Sequence, residues 1–243
     1  MPATPAVWLV LPTYDEAANL EAIVAACFEQ LGELQCLLIV DDDSPDGTGE
    51  LADRLALKRD GVRVLHRPHK QGLGPAYLAG YAQALAGGAD LIAQMDADFS
   101  HDPADLPRLV AATAEADLVL GSRYVRGGGV ADWGPIRRLI SRGGSAYARA
   151  LLGVGLRDLT GGFKVWRRAT LERIGLETIA SLGYAFQVET TYRAVKAGFR
   201  VLEIPIVFRE RRVGESKMSA SIVLEAALRV PMMRRAPRRD YTF

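Results

Sequence analysis

The stretch VWLVLPTYDEAANLEAIVAACFEQLGELQCLLIVDDDSPDGTG, residues 7–49, reads as strand, helix, strand. Residues 7–12 form a short apolar run closed by proline, and residues 36–40 form a second run that ends in Asp41, Asp42 and Asp43. Between them Leu20, Ile23, Val24, Phe28 and Leu31 recur at the spacing of one helical face, which predicts a helix over 16–31. The design then repeats. VRVLHRP and LIAQMDAD supply two more strands, separated by a helical stretch over 75–86, and ADLVLGSR supplies a fifth after a helix opening near Pro103. Such alternation predicts an α/β domain with a Rossmann-like, mostly parallel sheet and flanking helices, whose ligands bind at the carboxyl ends of the strands. The polar residues fall at those ends: Pro12, Tyr14 and Glu16 after the first, Asp41 and Asp42 after the second, Asp96 and Asp98 after the fourth, Ser122 and Arg123 after the fifth.

Beyond Arg123 the pattern changes to a glycine-rich connection, residues 127–134, leading into a helix that carries Arg137, Arg138, Arg142 and Arg149. TGGFKVWRRATL suggests a turn, a short strand and a helix start, and FQVETTYRAVKAGF a helix ended by Gly198. VLEIPIVF is a last strand in which Pro205 points to an edge or a bulge. RERRVGESKMS reads as a loop and residues 220–233 as an apolar helix before a basic tail.

Bulk properties limit the function classes. With 243 residues, about half of them apolar, the chain supports one substantial core. Thirty basic against 29 acidic residues leave a formal charge of +1, so nucleic acid is not an expected partner and any anion site must be local. Cys27 and Cys36 lack a CxxC partner, and His66, His69 and His101 make no zinc pattern; buried free thiols in a reducing cytosol are expected. The first residues lack a signal-peptide pattern, and no apolar run approaches the roughly 20 residues that cross a bilayer.

Two local patterns suggest chemistry. KQGLGPAYLAG invites a dinucleotide reading, but position 77 is tyrosine where the third glycine of GxGxxG would stand, and the stretch does not follow the first strand. A loop and helix start is the better account. Asp96 and Asp98 repel each other on one side of an extended strand unless a cation lies between them, and hard ions such as Mg²⁺ or Mn²⁺ bridge carboxylates to phosphates. The alternative, a helix cap, suits Asp102 better. Arg123, Arg137, Arg138, Arg142, Arg211, Arg212 and Lys217 flank loops from which they can reach phosphate oxygens. Carboxylates with a metal on one side and cations on the other suit two phosphorylated partners.

Seven ordered motifs, LPTYDEAANL, VDDDSPDGTG, HRPHKQGLGPAYLAGY, MDADFSHDP, GSRY, TGGFKVWRR and GESK, resemble the dolichol (polyprenol) phosphate mannose synthases. These belong to the inverting family 2 glycosyltransferases with the glycosyltransferase A fold. The resemblance runs from about residue 7 to 217. It implies a catalytic domain over 1–217 and an amphipathic basic helix and tail over 218–243. It implies metal-dependent transfer of mannose from GDP-mannose to a polyprenyl phosphate, giving a β-linked product and GDP. UDP-glucose or another nucleotide sugar, an undecaprenyl acceptor, and a non-catalytic nucleotide-binding subunit are the alternatives.

Residue by residue, the resemblance assigns Pro12, Tyr14 and Glu16 to the nucleotide, and Val40 and Asp42 to its base and ribose. Asp96, Ala97 and Asp98 fall to the diphosphate, with Asp98 the principal ligand of Mg²⁺ or Mn²⁺ and Asp96 beside it. Ser100 stands where relatives often carry a glutamine ligand. Arg211 and Lys217 match a loop closing on the donor phosphates, and Arg123, Arg137 and Ser141 match the grip on the acceptor phosphate. Asp98, Arg123 and Arg137 are thus the expected catalytic residues. A phosphate monoester, with a second pKa of about 6, is already a nucleophile and needs no base. Glu189 is either an unneeded base or a structural or sugar-binding residue. The basic C-terminal stretch can lie on an anionic membrane surface or pack back on the domain. Peripheral association with the cytoplasmic face, directly or through a membrane-anchoring partner protein, follows from the lipid acceptor.

Overall fold

The computed structural model describes residues 4–31, 34–179, 181, 183–210 and 228–234. Its core is a seven-stranded sheet in the order β3-β2-β1-β4-β7-β5-β8. The strands are β1 Val7–Thr13, β2 Leu34–Asp41, β3 Val62–His66, β4 Leu91–Gln94, β5 Leu118–Ser122, β7 Lys164–Arg167 and β8 Val201–Pro205. A two-stranded ribbon pairs β6 (Gly129–Val130) with β9 (Val207–Phe208). The helices are α1 Ala17–Gln30, α2 Thr48–Lys58, α3 Leu73–Ala86, α4 Leu106–Ala112, α5 Pro135–Leu152, α6 Arg168–Arg173 and α7 Tyr184–Lys196. Strands β1 to β4 pair in parallel, as does β5 with β8. Among the described strands of this sheet only β7 runs the other way, inserted between β4 and β5. Chain order reverses beside β1, and a crevice of this kind at the carboxyl ends of the strands is where open α/β sheets bind ligands.

Two apolar layers sandwich the sheet. One face packs Leu9, Leu11, Leu20, Ile23, Leu37, Ile39, Leu106 and Phe163; the other packs Trp8, Val10, Leu38, Tyr77, Tyr81, Trp166 and Phe186. The near-continuous apolar runs of β1 and β2 reflect strands covered on both faces. Helix α3 lies unusually close to the sheet because residue 80 is glycine: a Cβ there would stand 2.3 Å from Val10 Cγ1. Cys27 and Cys36 are both buried, and burial raises their thiols to about 12 and about 11.

Helix α2 was not anticipated, and α1 and α3 match expectation within two residues at either end. Pro205 ends the edge strand β8, after which Ile206 carries the chain across into β9, as the proline suggested. The expected strand through Asp98 is corrected: β4 stops at Gln94, and residues 97–101 form a bend. Phe99 sits there at φ +61°, which breaks strand geometry. Of the helix expected over 220–233, residues 228–234 are described and are helical. The 217/218 boundary lies outside the described residues.

Lys164 is almost completely buried on β7 and donates from Nζ to Gln187 O at 2.9 Å and Thr190 Oγ1 at 3.3 Å. Burial holds its ammonium pKa well below the ordinary value. Between that lowered value and about 10.5 the unfolded chain binds a proton that the native one does not, so stability rises with pH across the window. Measured by urea melts from pH 7 to pH 10, the stability of the native protein relative to Lys164→Met is expected to rise with pH; a flat difference contradicts the assignment.

Candidate active site

Three loops meet at the carboxyl ends of the central strands. After β1, Asp15 takes φ +55°; after β2, Asp43 takes φ +59°; after β4, Phe99 takes φ +61°. Left-handed non-glycine residues are uncommon and gather where the fold holds the chain for a purpose. These turns reverse the backbone sharply, so the side chains next to them crowd one rim.

The acidic rim is tightly organised. Asp41 accepts from Thr13 Oγ1 at 3.1 Å and Ser44 Oγ at 2.6 Å. Asp42 pairs with Arg67 and accepts from the backbone N–H groups of Gln71 and Gly72, each at 3.2 Å. Asp42 therefore anchors the 67–72 segment that opens α3. Lys70 Nζ from that segment lies 3.5 Å from the ring centre of Tyr14. Glu16 is buried and accepts from Asn19 Nδ2 at 2.9 Å, while Pro12 and Val40 face each other across β1 and β2.

The bend after β4 separates the two carboxylates by environment. Asp98 is buried and its Oδ1 accepts the Ser100 N–H at 3.0 Å. Asp96 keeps 32% of its side chain exposed and accepts from Tyr77 Oη at 3.3 Å. Burial and the Asp96 charge push the Tyr77 hydroxyl well above its ordinary pKa, so it stays a donor. Ala97 between them is buried. His101 Nδ1 accepts the Asp96 N–H at 3.3 Å, and burial keeps its imidazole below the ordinary pKa and neutral at pH 7. Gln94 pins the start of the bend: it accepts from Trp166 Nε1 at 2.9 Å and donates to Gly162 O at 2.8 Å. Arg209 N–H holds Ser100 O at 3.0 Å on the far side. Asp102 caps the 3₁₀ turn that follows, accepting from Ala104 N–H at 3.0 Å, as its spacing suggested.

Ser100 Oγ is buried without a hydrogen-bond partner among the described residues. Two carboxylates and an unsatisfied hydroxyl are hard oxygen donors, and they fit Mg²⁺ or Mn²⁺. Among the described residues no group of three His, Cys, Asp or Glu side chains could hold an ion alone. An ion here would therefore need oxygens from a bound phosphate or water.

The cationic rim is joined to the acidic one by aromatic side chains. The His101 ring centre lies 5.1 Å from that of Phe208, and Phe208 lies 5.3 Å from Trp133. The guanidiniums of Arg123 and Arg137 stand 5.9 Å and 4.3 Å from the Trp133 ring centre. Ser141 Oγ accepts from Tyr124 Oη at 2.6 Å, and the Tyr124 ring lies 5.1 Å from the Arg123 guanidinium. Arg123, Arg137 and Ser141, 18 residues apart in sequence at most, thus share one wall with the bend that carries Asp96-Ala97-Asp98, a DxD sequence. Arg211 and Lys217 lie outside the described residues.

The two arginines are held differently. Arg123 is buried and forks onto Asp158, with Nε and one terminal nitrogen each 2.7 Å from a carboxylate oxygen; that nitrogen also reaches Thr160 Oγ1 at 2.8 Å. Burial alone would raise the Asp158 pKa, but the guanidinium overrides it and holds the carboxyl below its ordinary value. Glu203 braces this loop by accepting from Ser122 Oγ at 2.7 Å and from the N–H groups of Arg157 and Asp158 at 2.8 and 2.9 Å. Arg137 makes a more open pair with Glu210 at 2.6 Å. Glu189 accepts from Ser181 Oγ and from Arg193, each at 2.5 Å, and so ties α7 to the preceding loop. Sequence reading missed His101, Trp133, Asp158 and Phe208; only their adjacency to the quoted motifs hinted at them.

A family model for glycosyl transferase family 2 matches residues 8–175. The chain belongs to glycosyl transferase family 2. Among its relatives, the polyprenol monophosphomannose synthase of Mycolicibacterium smegmatis is 49% identical over 225 residues, covering 91% of this chain and 84% of that protein. The undecaprenyl-phosphate mannosyltransferase of Micrococcus luteus is 47% identical over 221 residues, covering 91% and 90%. Crystal structures of glucosyl-3-phosphoglycerate synthase from Mycobacterium tuberculosis superpose on this family 2 chain. One, in complex with Mn²⁺, UDP and phosphoglyceric acid, gives a TM-score of 0.72 at 18% identity over 97% of this chain and 80% of that one. Another, with Mg²⁺ and UDP, gives 0.71 at 19% identity over 97% and 81%. The family 2 chain therefore has the expected glycosyltransferase A fold.

Proposed function

We propose that this family 2 enzyme transfers mannose from GDP-mannose to a polyprenyl phosphate, with inversion and with Mg²⁺ or Mn²⁺, releasing GDP and a β-linked polyprenyl phosphate mannose. The observation that carries the reading is the single wall with Asp96 and Asp98 at one end and Arg123 and Arg137 at the other. Relatives at 47% and 49% identity that are named for mannosyl transfer to polyprenyl phosphates support it. Pro12, Tyr14, Glu16, Val40, Asp42 and Ala97 line the donor side of the proposed site.

Bond cleavage at the anomeric carbon leaves charge on the departing diphosphate; Asp96, Asp98 and Ser100 would hold a divalent ion, which when bound would supply counter-charge there. The acceptor side does other work. Asp158 fixes the Arg123 fork in one orientation, so a phosphate approaching it meets donors already aimed. Arg137 exchanges its exposed partner Glu210 for the phosphate. Guanidinium keeps its proton at any physiological pH, so both arginines orient the acceptor dianion without protonating it. Glu189 serves as no base, its carboxylate being engaged by Ser181 and Arg193.

No described helix is long and apolar enough to cross a membrane. Independently of that, the lipid acceptor and the nucleotide-sugar donor of the proposed reaction are our grounds for placing the protein peripherally on the cytoplasmic face of a membrane. Calorimetric titration with GDP and with UDP, each with and without Mn²⁺, tests the donor half. Mn²⁺-dependent binding of GDP at least about tenfold tighter than UDP, roughly 1.4 kcal/mol, is expected; preference for UDP overturns the assigned donor.

A further inference from the structure

Trp166, Gln94 and Gln187 form a chain of side chains beneath the DxD bend, and hydrogen-bond chemistry fixes its direction. An indole N–H can only donate, so the Gln94 amide turns its oxygen to Trp166 Nε1, at 2.9 Å. Tyr81 Oη gives the same oxygen a second donor. A carbonyl can only accept, so the Gln94 nitrogen faces Gly162 O at 2.8 Å. That nitrogen also donates to Gln187 Oε1 at 3.1 Å, which turns the Gln187 nitrogen to the far side. Lys164 holds the backbone of the same residue, donating to Gln187 O at 2.9 Å. The chain ends on an unsatisfied donor. Gln187 is 1% exposed, and its Nε2 is buried with no hydrogen-bond partner among the described residues. An unpaired buried donor is costly, so a group held this firmly calls for a partner.

The partner has a defined place. Residue 162 is glycine, and a Cβ there would lie 3.6 Å from Gln187 Nε2, 3.6 Å from Asp96 Oδ1 and 3.4 Å from His101 Cε1. The three groups border one small space beside the Gly162 backbone. Residues 158–162 also link the two ends of the site: Asp158 and Thr160 hold the Arg123 guanidinium, and Gly162 stands beside Asp96. A group passing from a diphosphate at the DxD to a phosphate at Arg123 has to lie along this segment. The space offers an amide donor on one side and a carboxylate acceptor on the other. A hydroxyl suits both, because its O–H can donate to Asp96 while its lone pair takes the Gln187 N–H. An anionic group there is repelled by Asp96, and an ammonium meets the amide hydrogens.

We propose that Gln187 is a specificity-determining residue for the donor: its Nε2 donates to a hydroxyl of the transferred pyranose, in the space left by the missing side chain of Gly162. Trp166 and Gln94 keep its amide from flipping. The inference rests on the nucleotide-sugar reading and deepens it, by assigning where the sugar is recognised apart from its nucleotide.

The test is calorimetric titration, in Mn²⁺, of GDP-mannose and GDP, and of UDP-glucose and UDP, against the wild type, Gln187→Met and Gly162→Ala. Methionine keeps the length of the side chain and leaves Gln94 its bond to Gly162 O. The methyl added at 162 meets its neighbours at the ordinary contact distances of 3.4–3.6 Å. Both variants are therefore expected to fold, and a melting curve checks it. Gln187→Met is expected to bind GDP-mannose about tenfold more weakly and GDP as the wild type does. Gly162→Ala, whose methyl takes the place of the hydroxyl, is expected to show the same split. Competition titrations with GDP-mannose analogues lacking one hydroxyl at a time identify the contact. One analogue is expected to bind the wild type about tenfold more weakly than GDP-mannose and to lose that deficit in Gln187→Met. Unchanged GDP-mannose affinity in the folded Gln187→Met overturns the proposal, since the amide then needs only water. Equal weakening of GDP and GDP-mannose overturns it too, as the mark of a merely structural role. If UDP-glucose is the donor bound, and its affinity falls in Gln187→Met while that of UDP does not, the mannose assignment fails and the hydroxyl contact stands.

Discussion

Asp98→Asn is expected to lower turnover by about a thousandfold or more, the scale of removing a principal stabiliser of leaving-group charge. The substitution is nearly isosteric, and an amide oxygen can still accept the Ser100 N–H that Asp98 holds at 3.0 Å, so the bend should keep its shape. What disappears is the charge. Binding of GDP in the absence of metal should change little, and the dependence of binding on Mn²⁺ should weaken. Initial-rate assays and titrations on one preparation separate the two effects. Turnover within tenfold of the wild type would mean that Asp98 does not carry the counter-charge.

The largest effect on stability is expected at Asp158, a residue that touches no proposed substrate atom. Its carboxylate takes the Arg123 backbone N–H at 2.9 Å as well as two guanidinium nitrogens. Asp158→Ala leaves a charged guanidinium buried among Tyr124, Trp133 and Phe208 with its main counter-ion gone. Breaking a buried pair in this way costs about 3–5 kcal/mol. For a chain of this size that corresponds to a fall of roughly 10 °C or more in Tm. Calorimetry checks it, and a loss below about 1 kcal/mol would show that Arg123 finds another partner readily. Asp158→Asn should cost less stability but still loosen the fork, so its KM for the acceptor is expected to rise more than its kcat falls.

Local periodicity made the α/β class and six of the main-sheet strands readable in the sequence: β1, β2, β4 and β5, covered on both faces, leave continuous apolar runs, while the sheet-edge strands β3 and β8 are mainly apolar with a polar residue between. Strand β7 was readable as a strand. Its place, antiparallel between β4 and β5, was not, since register and neighbour are set by contacts far apart in sequence such as Gln94 with Trp166. The DxD was legible as a pair of carboxylates. The prediction that strand alternation puts both on one side failed, because Phe99 at φ +61° turns the chain and buries Asp98 while leaving Asp96 partly open. Arg123 was legible as a candidate cation, whereas its fork on Asp158, 35 residues away, needed the fold. The unusual exposure of Ile136, Leu139 and Ile140 was equally hidden, because a helical stripe in sequence does not say which side faces the sheet.

The most direct test of the central claim mixes the protein with GDP-[¹⁴C]mannose, Mn²⁺ and a short polyprenyl phosphate, and follows label into the organic phase with and without chelator. Chelator-sensitive transfer, yielding a product whose anomeric proton coupling reports a β linkage, is the predicted result. Failure to transfer mannose by protein that still binds GDP and Mn²⁺ would contradict it.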